Sequence, residues 1–487
     1  MDASQLPDIS SLLVTAHNPA SSDVIGMDHT RCAALHNYLV HYAWVAEGCA
    51  PASLRSNTST YFTHHGAAAD ALRPRLDSSL AAFLDTALLP PTTDALDPAP
   101  FFFWTSELSG PDELFADFET DLFDEPEDSL VSLYFPNIGQ GGEFGGGVFY
   151  HQGCHRAAVF MHMDDHDYAF PVEKHPELWH PLETVLSNWI DLIHLGKITA
   201  SPRDVPAQFV GEKIGPWEWQ PYSEAQIAAC VGAWERLCDA IEARISLLPQ
   251  TSIAINAAEP GPLLAPATLD AASVPESCFA RAFLTRARRP QFLYIAPGLI
   301  LPPANAAEFT AAQAFTRLPH APQVIPPICL FPAASGEPEV NLTVSSNPFC
   351  DVFRTGSDNS PTPSWVSAGV YSESVDREVL GSAEEGFRLL LPYSFEGDGW
   401  DVDGGARKSD GSIIEKGKVA DLFQHGYKPF GGDYYRPQRL ERLFDHWLKL
   451  IDRGVWSVGP HGVEGTIETF READAVRWKD YIIPPTW

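Results

Sequence analysis

The chain has 487 residues, of which 45% are hydrophobic and 11% aromatic, so it can bury a sizeable core and is not a wholly disordered protein. Its 64 acidic and 32 basic residues give a formal charge of -32, and a field of that sign repels nucleic acids and anionic lipid surfaces. We therefore expect neither a nucleic acid nor a membrane as a partner.

The negative charge is concentrated in the first part of the chain. Residues 1–200 contain seven Lys or Arg and 28 Asp or Glu, a net charge of -21, and the remaining 287 residues carry -11. One hypothesis that follows is a non-catalytic acidic protein whose N-terminal half binds a basic protein partner.

The cysteines and the apolar segments bear on the cellular compartment. Eight cysteines are spread through the chain without a C-x-x-C pair or a regular framework, which predicts free thiols of a reducing compartment. Residues 1–16 begin acidic and hold only a short apolar run, and no window approaches the ~18–20 apolar residues of a membrane span. We expect a soluble, cytoplasmic protein.

Four amphipathic helices and several strands are predicted along the chain. The helices show apolar residues at spacings of three and four, and Ser223 with Gln226 forms a capping box before the third helix. Short runs rich in β-branched and aromatic residues predict the strands. The helices are predicted at 30–48, with Thr30 as N-cap, 181–197, 223–249 and 436–454, and the strands at 129–135, 146–151 with 156–163, 290–301 and 387–395.

The order of these elements has no regular βαβ rhythm. The predicted fold class is therefore α+β, with mixed helices and a mostly antiparallel sheet. Residues 251–275 are Ala/Pro-rich and almost uncharged, which predicts a linker between two domains. On this interpretation residues 1–250 form an acidic α+β domain with a His/Asp-rich hairpin, and residues 276–487 form a C-terminal α+β domain.

One stretch of the first predicted domain concentrates chemically active side chains. The sequence GGGVFYHQGCHRAAVFMHMDDHDYAF, at 145–170, contains four histidines and three aspartates. It predicts a β-hairpin with the three-residue loop QGC, in which His151 faces His155.

The second strand of this hairpin carries the candidate catalytic residues. A period of two places His162, Asp164 and, if the strand continues, His166 on one face, opposite an apolar face that should be buried. His162 and Asp164 then lie about 6.5–7 Å apart by strand rise. Such a pair can act as a general base and its orienting carboxylate without a metal.

The same H-x-D spacing occurs in 2-His-1-carboxylate metal sites, where a distant histidine completes the set of ligands. His425, in LFQHGYKPFGGDYYRP, is the candidate third ligand beside His162 and Asp164, and a divalent metal is the candidate cofactor. A polar hairpin end without function is the third interpretation and is narrowly favoured, because His and Asp at the exposed end of a strand need no function. The sequence leaves these three interpretations open.

Two tryptophans follow the second predicted helix. Trp217 and Trp219, in KIGPWEWQPYSEAQ, are candidate pocket residues. The alternative interpretation is ordinary core packing, which is common for tryptophan.

A pair of carboxylates lies within the third predicted helix. Asp239 and Glu242, in LCDAIEARI, resemble the D-D-x-x-E motif of the fungal arginine-containing cyclodipeptide synthases, except that Cys238 stands at the first aspartate. The resemblance implies a synthase in which Asp239 and Glu242 line a pocket. Those enzymes take aminoacyl-tRNA, whose binding the charge of this chain disfavours.

Size, aromatic content and free thiols are compatible with an enzyme, although no motif establishes one. The favoured hypothesis is a biosynthetic enzyme that acts on a small-molecule substrate in specialised (secondary) metabolism, using the His/Asp strand end with or without a divalent metal. The basic-partner protein and the cyclodipeptide-like synthase remain the alternatives.

Overall fold

Helices and mostly antiparallel strands are interspersed along the chain, and the predicted α+β class is confirmed. The computed structural model describes residues 5–21, 25–89, 101–115, 126, 128–137, 146–160, 172–174, 178–209, 213–248, 261–353, 362–379, 383–395, 405–426, 437–475 and 477–484.

The chain divides into two compact units. The first comprises Met1–Gln220, Tyr427–Tyr434 and Pro485–Trp487, and the second comprises Pro221–Gly426 and Tyr435–Pro484.

The predicted linker, residues 251–275, is described from Gly261 onward. There the helix Pro266–Ala271 buries Leu269 in the core of the second unit. The predicted domain limits 1–250 and 276–487 stay a prediction.

The first unit contains six described α-helices and seven strands. Strands β1 to β4 form an antiparallel sheet in chain order, and β5, β7 and β6 form a second, three-stranded sheet. The helices are α1 (His29–Ala46), α2 (Leu54–Asn57), α3 (Tyr61–His65), α4 (Ala67–Asp70), α5 (Ser78–Thr86) and α6 (Leu182–His194). The strands are β1 (Thr105–Leu108), β2 (Leu130–Pro136), β3 (Gly147–His151), β4 (Arg156–Phe160), β5 (Ile198–Ala200), β6 (Lys213–Ile214) and β7 (Trp217–Trp219).

Helix α1 begins slightly earlier than predicted. Its N-cap is Asp28, whose side chain accepts a hydrogen bond from Arg31 N (3.1 Å), so the prediction of Thr30 as N-cap is wrong. A carboxylate at the N-cap satisfies a free backbone N–H and interacts favourably with the helix dipole.

The His/Asp-rich hairpin is present, but its turn differs from the prediction. His151 pairs with Arg156, so the loop has four residues and His151 does not face His155. The imidazole of His151 stabilises the longer turn, because its Nδ1 accepts hydrogen bonds from Gly153 N (3.1 Å) and Cys154 N (3.2 Å).

The described part of β4 is buried on both faces. Ala157, Ala158, Val159 and Phe160 are each no more than 5% exposed. Ala158 and Phe160, on the face predicted to carry His162 and Asp164, pack beside Trp179, and the predicted polar end of that face lies outside the described residues.

The second unit contains five described α-helices and eleven strands. Most of its strands pair in short antiparallel ladders, and β18 pairs with β8 in parallel. The helices are α7 (Glu224–Leu247), α8 (Pro266–Ala271), α9 (Phe279–Arg286), α10 (Ala306–Ala311) and α11 (Leu440–Asp452). The strands are β8 (Tyr294–Ala296), β9 (Leu299–Ile300), β10 (Val324–Ile325), β11 (Cys329–Pro332), β12 (Glu339–Asn341), β13 (Trp365–Ser367), β14 (Gly369–Ser372), β15 (Val375–Asp376), β16 (Phe387–Leu390), β17 (Val458–Gly459) and β18 (Gly462–Val463).

The strand predicted at 290–301 is a hairpin. β8 and β9 pair antiparallel around Pro297 and Gly298, and Gly298 has φ +70°. Proline followed by glycine with positive φ is typical of a tight turn, which divides the apolar run into two strands.

Helix α7 organises the core of the second unit. It packs against α9 and α11, with its capping box formed by Ser223 and Gln226 as predicted. Trp234 of α7 stacks on Phe331 (ring centroids 5.2 Å apart) and also contacts Phe444 of α11. Burying each such side chain contributes about 1.5–3 kcal/mol.

All eight cysteines are free thiols, and five of them are buried: Cys32, Cys230, Cys238, Cys278 and Cys329. In the described part of the chain, no helix has the length and hydropathy to cross a bilayer.

Candidate functional site

A group of buried polar side chains lies at one end of the sheet β11-β14-β16 in the second unit. We call it the polar cluster, and its members are Glu373, Glu384, Glu385, Arg388, Gln424, His425, Gln438 and Arg439. Each is at most 8% exposed or, for Arg388, has a side chain 13% exposed. Buried polar side chains in a low-dielectric interior are stable only when they are hydrogen-bonded or paired, so they form a connected network.

Strand pairing explains how residues distant in sequence meet here. β14 and β16 are antiparallel, and Ser372 at the end of β14 pairs with Phe387 at the start of β16. Glu373, which follows β14, therefore lies close to Glu385, which precedes β16, and to Arg388 within it.

The segment before α11 joins the same sheet end. Gly386 forms a β-bridge with Arg439, Phe387 N donates to Gln438 O (3.1 Å), and Leu440 N donates to Glu385 O (3.0 Å). A side chain at Gly386 would collide with the ring of Pro437. Glycine therefore permits the close backbone approach that places Gln438 and Arg439 in the cluster.

Two ion pairs form the frame of the cluster. Arg388 Nε lies 2.5 Å from Glu373 Oε2, and Arg377 Nε lies 2.6 Å from Glu384 Oε1. All four side chains are at most 13% exposed. Removing one partner of a buried pair leaves an uncompensated charge and costs about 3–5 kcal/mol, so these pairs hold the sheet end rigid.

The orientation of His425 follows from its neighbour Gln438. Gln438 Oε1 accepts a hydrogen bond from Arg439 N (3.1 Å), which leaves the amide nitrogen of Gln438 facing His425 Nδ1 at 3.4 Å. Since an amide nitrogen only donates, Nδ1 of His425 accepts. The neutral imidazole therefore carries its hydrogen on Nε2.

The backbone around His425 is also fixed. Its carbonyl oxygen accepts from Ser409 Oγ (2.5 Å) and from Asp410 N (3.2 Å). Next to it, Gly426 has φ +74°, and a side chain there would collide with the carboxylate of Asp410. The imidazole is thus attached to a backbone that has little freedom to move.

These contacts make the cluster rich in hydrogen-bond donors. His425 supplies an Nε2–H group, and Arg439, whose Nε lies 3.2 Å from Glu441 Oε1, supplies a guanidinium. An N–H donor held in a dry, rigid site stabilises negative charge that develops on a bound molecule. The arrangement is chemically suited to polarise a carbonyl or phosphoryl oxygen.

Three of the candidate site residues lie outside the described residues. These are His162, Asp164 and His166, and their catalytic and metal-binding roles, including any ligand set with His425, stay predictions. Within the described residues, no group of three or more His, Cys, Asp or Glu side chains is placed to hold a metal ion.

The candidate pocket tryptophans lie in the aromatic core of the first unit. Trp217 stacks on Tyr42 (centroids 5.7 Å apart), and Trp219 packs against Trp104 (5.8 Å). Both tryptophans are buried, at 0% and 7% exposure. The alternative interpretation of core packing describes these contacts, and a pocket beside the two rings stays a prediction.

The carboxylates of Asp239 and Glu242 are bound to an arginine of the same unit. Arg288 donates to Asp239 Oδ1 (2.7 Å), to both oxygens of Glu242 (2.9 and 3.0 Å) and to Glu235 Oε2 (2.5 Å). The spacing of the three acids, four and then three residues, places them on one face of α7. Through Arg288, these carboxylates hold the chain after α9 against α7. A pocket at this face stays a prediction.

Sequence reasoning singled out His425 but missed the residues that surround it. Arg388 lies in β16, and Glu373 and Glu385 lie next to the ends of β14 and β16, short strands whose pairing is not visible in a single sequence.

Comparison with known proteins gives no relative from which a role could be transferred. No family model, curated protein or solved structure matches the chain.

Proposed function

We propose that the chain is an enzyme that acts on a small molecule at the polar cluster of the second unit. The observation that carries the proposal is the orientation of His425, whose Nδ1 accepts from Gln438 so that Nε2–H is held as a donor in a buried site.

The proposed role of His425 is to donate a hydrogen bond to an oxygen of the substrate that gains negative charge during the reaction. A neutral imidazole suits this role because its Nε2–H group can donate without a prior change of the protonation state of the ring. The frame of buried ion pairs keeps the donor in place, so little reorganisation is needed at the moment of reaction. The class of reaction that fits is proton transfer or group transfer at a carbonyl or phosphoryl centre.

The test is turnover of a defined library of small polar metabolites, followed by mass spectrometry. We expect the wild-type protein to consume at least one compound and His425→Gln to lower its rate by about 10²–10³-fold, the cost of removing one donor to a developing oxyanion. Gln438→Leu should lower the same rate, because Nδ1 then loses the donor that sets the tautomer.

The matched control is His461→Gln, which alters an exposed histidine of the same unit. Its turnover should equal that of the wild type, and all variants should show the same circular dichroism spectrum. Equal turnover by His425→Gln and the wild type would contradict the proposed role. A protein that consumes nothing but is stabilised by polylysine would instead support the alternative of a basic protein partner.

A further inference from the structure

Near the start of the first unit, a short loop is folded around one arginine. We call this loop, residues 8–19, the strap. The guanidinium of Arg31, in the first turn of α1, donates hydrogen bonds to four backbone carbonyl oxygens of the strap: Leu12 O (2.6 Å), Pro19 O (2.9 Å), Leu13 O (3.0 Å) and Asn18 O (3.2 Å). Arg31 is 8% exposed. The strap therefore supplies the acceptors that a buried guanidinium needs.

The strap is also held together by its own hydrogen bonds. Thr15 and Asn18 exchange backbone hydrogen bonds (3.0 and 3.2 Å), and the amide of Asn18 donates to Ser11 O (2.9 Å) and Leu13 O (2.8 Å). Most side chains of the strap are exposed, whereas Ile9 is buried. A self-bonded loop that buries little apolar surface can open as a unit at a low cost in free energy.

A buried thiol lies beside the two places where the strap is attached. Cys32 Sγ donates to Glu183 Oε2 (3.5 Å) between α1 and α6, and both residues are at most 3% exposed. Arg31, which holds the strap, directly precedes Cys32 on α1. Ser187, one turn after Glu183 on α6, accepts a hydrogen bond from Val14 N of the strap (2.9 Å). The strap thus joins the two helices next to the Cys32–Glu183 pair.

The closed strap favours an unreactive thiol. Burial raises the pKa of Cys32 well above its ordinary value, and the carboxylate of Glu183 raises it further. The thiolate is the form that reacts with electrophiles, and access of water to the thiol lowers the cost of forming it. Opening of the strap therefore increases both the accessibility and the reactivity of Cys32.

We propose that the strap is a lid over Cys32, which opens as a unit while α1 and α6 stay packed, and that Arg31 controls this opening. In the closed state the thiol is protected, and in the open state it reacts with small electrophiles. The inference concerns the first unit and does not depend on the function proposed for the polar cluster of the second.

The test measures the rate at which N-ethylmaleimide alkylates Cys32 in the native protein, by mass spectrometry of the peptide that contains it. We expect Arg31→Gln to raise this rate at least about tenfold, because the strap loses the hydrogen bonds of the guanidinium. Loss of a positive charge near a thiol by itself raises the pKa of the thiol and slows the reaction. A faster reaction therefore reports opening of the strap.

A second variant leaves both helices unaltered. Asn18→Ala removes the side-chain hydrogen bonds to Ser11 O and Leu13 O within the strap and should also raise the alkylation rate. The matched control is Asn57→Ala, which removes a similar local hydrogen bond, from Asn57 Nδ2 to Ser53 O (2.7 Å), at an exposed position of the same unit. Its rate should stay within about twofold of the wild type, as for most surface substitutions.

Urea separates opening of the strap from unfolding of the whole unit. Below the unfolding transition the alkylation rate should change little with urea, because a local opening exposes little surface. A rate that rises steeply with urea in every variant, or that is equal in the wild type, Arg31→Gln and Asn18→Ala, would overturn the inference. If Arg31→Gln loses the far-UV circular dichroism spectrum of the wild type, the result for Asn18→Ala decides.

Discussion

His36 of the first unit shows how a single buried side chain couples stability to pH. Its Nδ1 lies 2.8 Å from the hydroxyl of Tyr134, its Nε2 lies 2.7 Å from Leu88 O, and its ring stacks on Phe101 at 4.4 Å. Since a carbonyl only accepts, Nε2 carries the hydrogen and Tyr134 donates to Nδ1. The neutral imidazole is thus satisfied on both nitrogens.

This environment lowers the pKa of His36 from 6.5 to about 4, chiefly through burial. The unfolded chain therefore binds more protons than the folded chain between these two values. The free energy of unfolding should fall as the pH falls below 6.5, by about 2 kcal/mol at pH 5 from this group alone. In His36→Gln that part of the pH dependence should disappear.

Urea unfolding of the wild type and of His36→Gln, at about pH 8 and about pH 5, measures this difference. The comparison at the higher pH gives the structural cost of the substitution, because the wild-type imidazole is neutral there. If the free energy of unfolding changed by the same amount in both proteins between the two pH values, His36 would not be the cause of the pH dependence.

At the scale of single residues, the sequence indicated the chemistry of the site only in part. His425 was identified as a candidate ligand from its residue type, and it lies in the polar cluster. Its partner Gln438 follows 13 residues later in the chain, and the tautomer that Gln438 sets is a property of three-dimensional geometry. No sequence pattern identifies a glutamine that orients a buried histidine.

Helix α7 is the element whose ends were predicted best. Ser223 Oγ accepts from Gln226 N (3.1 Å), and Gln226 Oε1 accepts from Ser223 N (2.9 Å), which completes the capping box. Both side chains satisfy backbone groups that the first turn leaves free.

Ser223→Ala should lower the free energy of unfolding by about 1 kcal/mol, because the acceptor for one buried N–H is lost. Ser246→Ala, in the last turn of the same helix, is the matched control, since Ser246 is exposed and its hydroxyl donates to Ala243 O of the same turn. Chemical denaturation of both variants, monitored by far-UV circular dichroism, measures the two losses of stability. A control that loses as much stability as Ser223→Ala would refute a specific effect of the cap.

Long helices and short strands differ in how much of them a sequence can reveal. The four amphipathic helices have several turns each, so the period of their apolar residues is well determined. β11 and β14 have four residues each and pair across a separation of about 40 residues, and neither was predicted. The polar cluster depends on this sheet, which explains why its glutamates and arginines were not recognised as a group.

The excess of acidic residues acts on the whole molecule. Most described arginines form ion pairs with one or more carboxylates, yet 64 acidic residues face 32 basic ones across the chain. The folded state brings the unpaired negative charges closer together than the unfolded state does, and this repulsion opposes folding.

The melting temperature should therefore rise when sodium chloride is increased from about 10 mM to about 150 mM, because the Debye length falls from about 30 Å to about 8 Å. The surface ion pairs weaken under the same change, but each contributes only about 0–1 kcal/mol. Differential scanning fluorimetry provides the measurement, with an equal molar concentration of sucrose as the uncharged control. A melting temperature that falls with salt would mean that the ion pairs outweigh the repulsion.

The reactivity of the free thiols can report local opening of the protein, because buried and exposed thiols differ in their accessibility to reagents. Cys154 is exposed and accessible to an alkylating reagent in the native state, whereas the buried thiols react only after the surrounding core has separated. The first unit holds one buried thiol, Cys32, and the second holds four: Cys230, Cys238, Cys278 and Cys329. The mass of the alkylated chain therefore reports which unit has opened, since opening adds one or two adducts in the first unit, where Cys49 is half-buried, and four or five in the second, where Cys350 is half-buried.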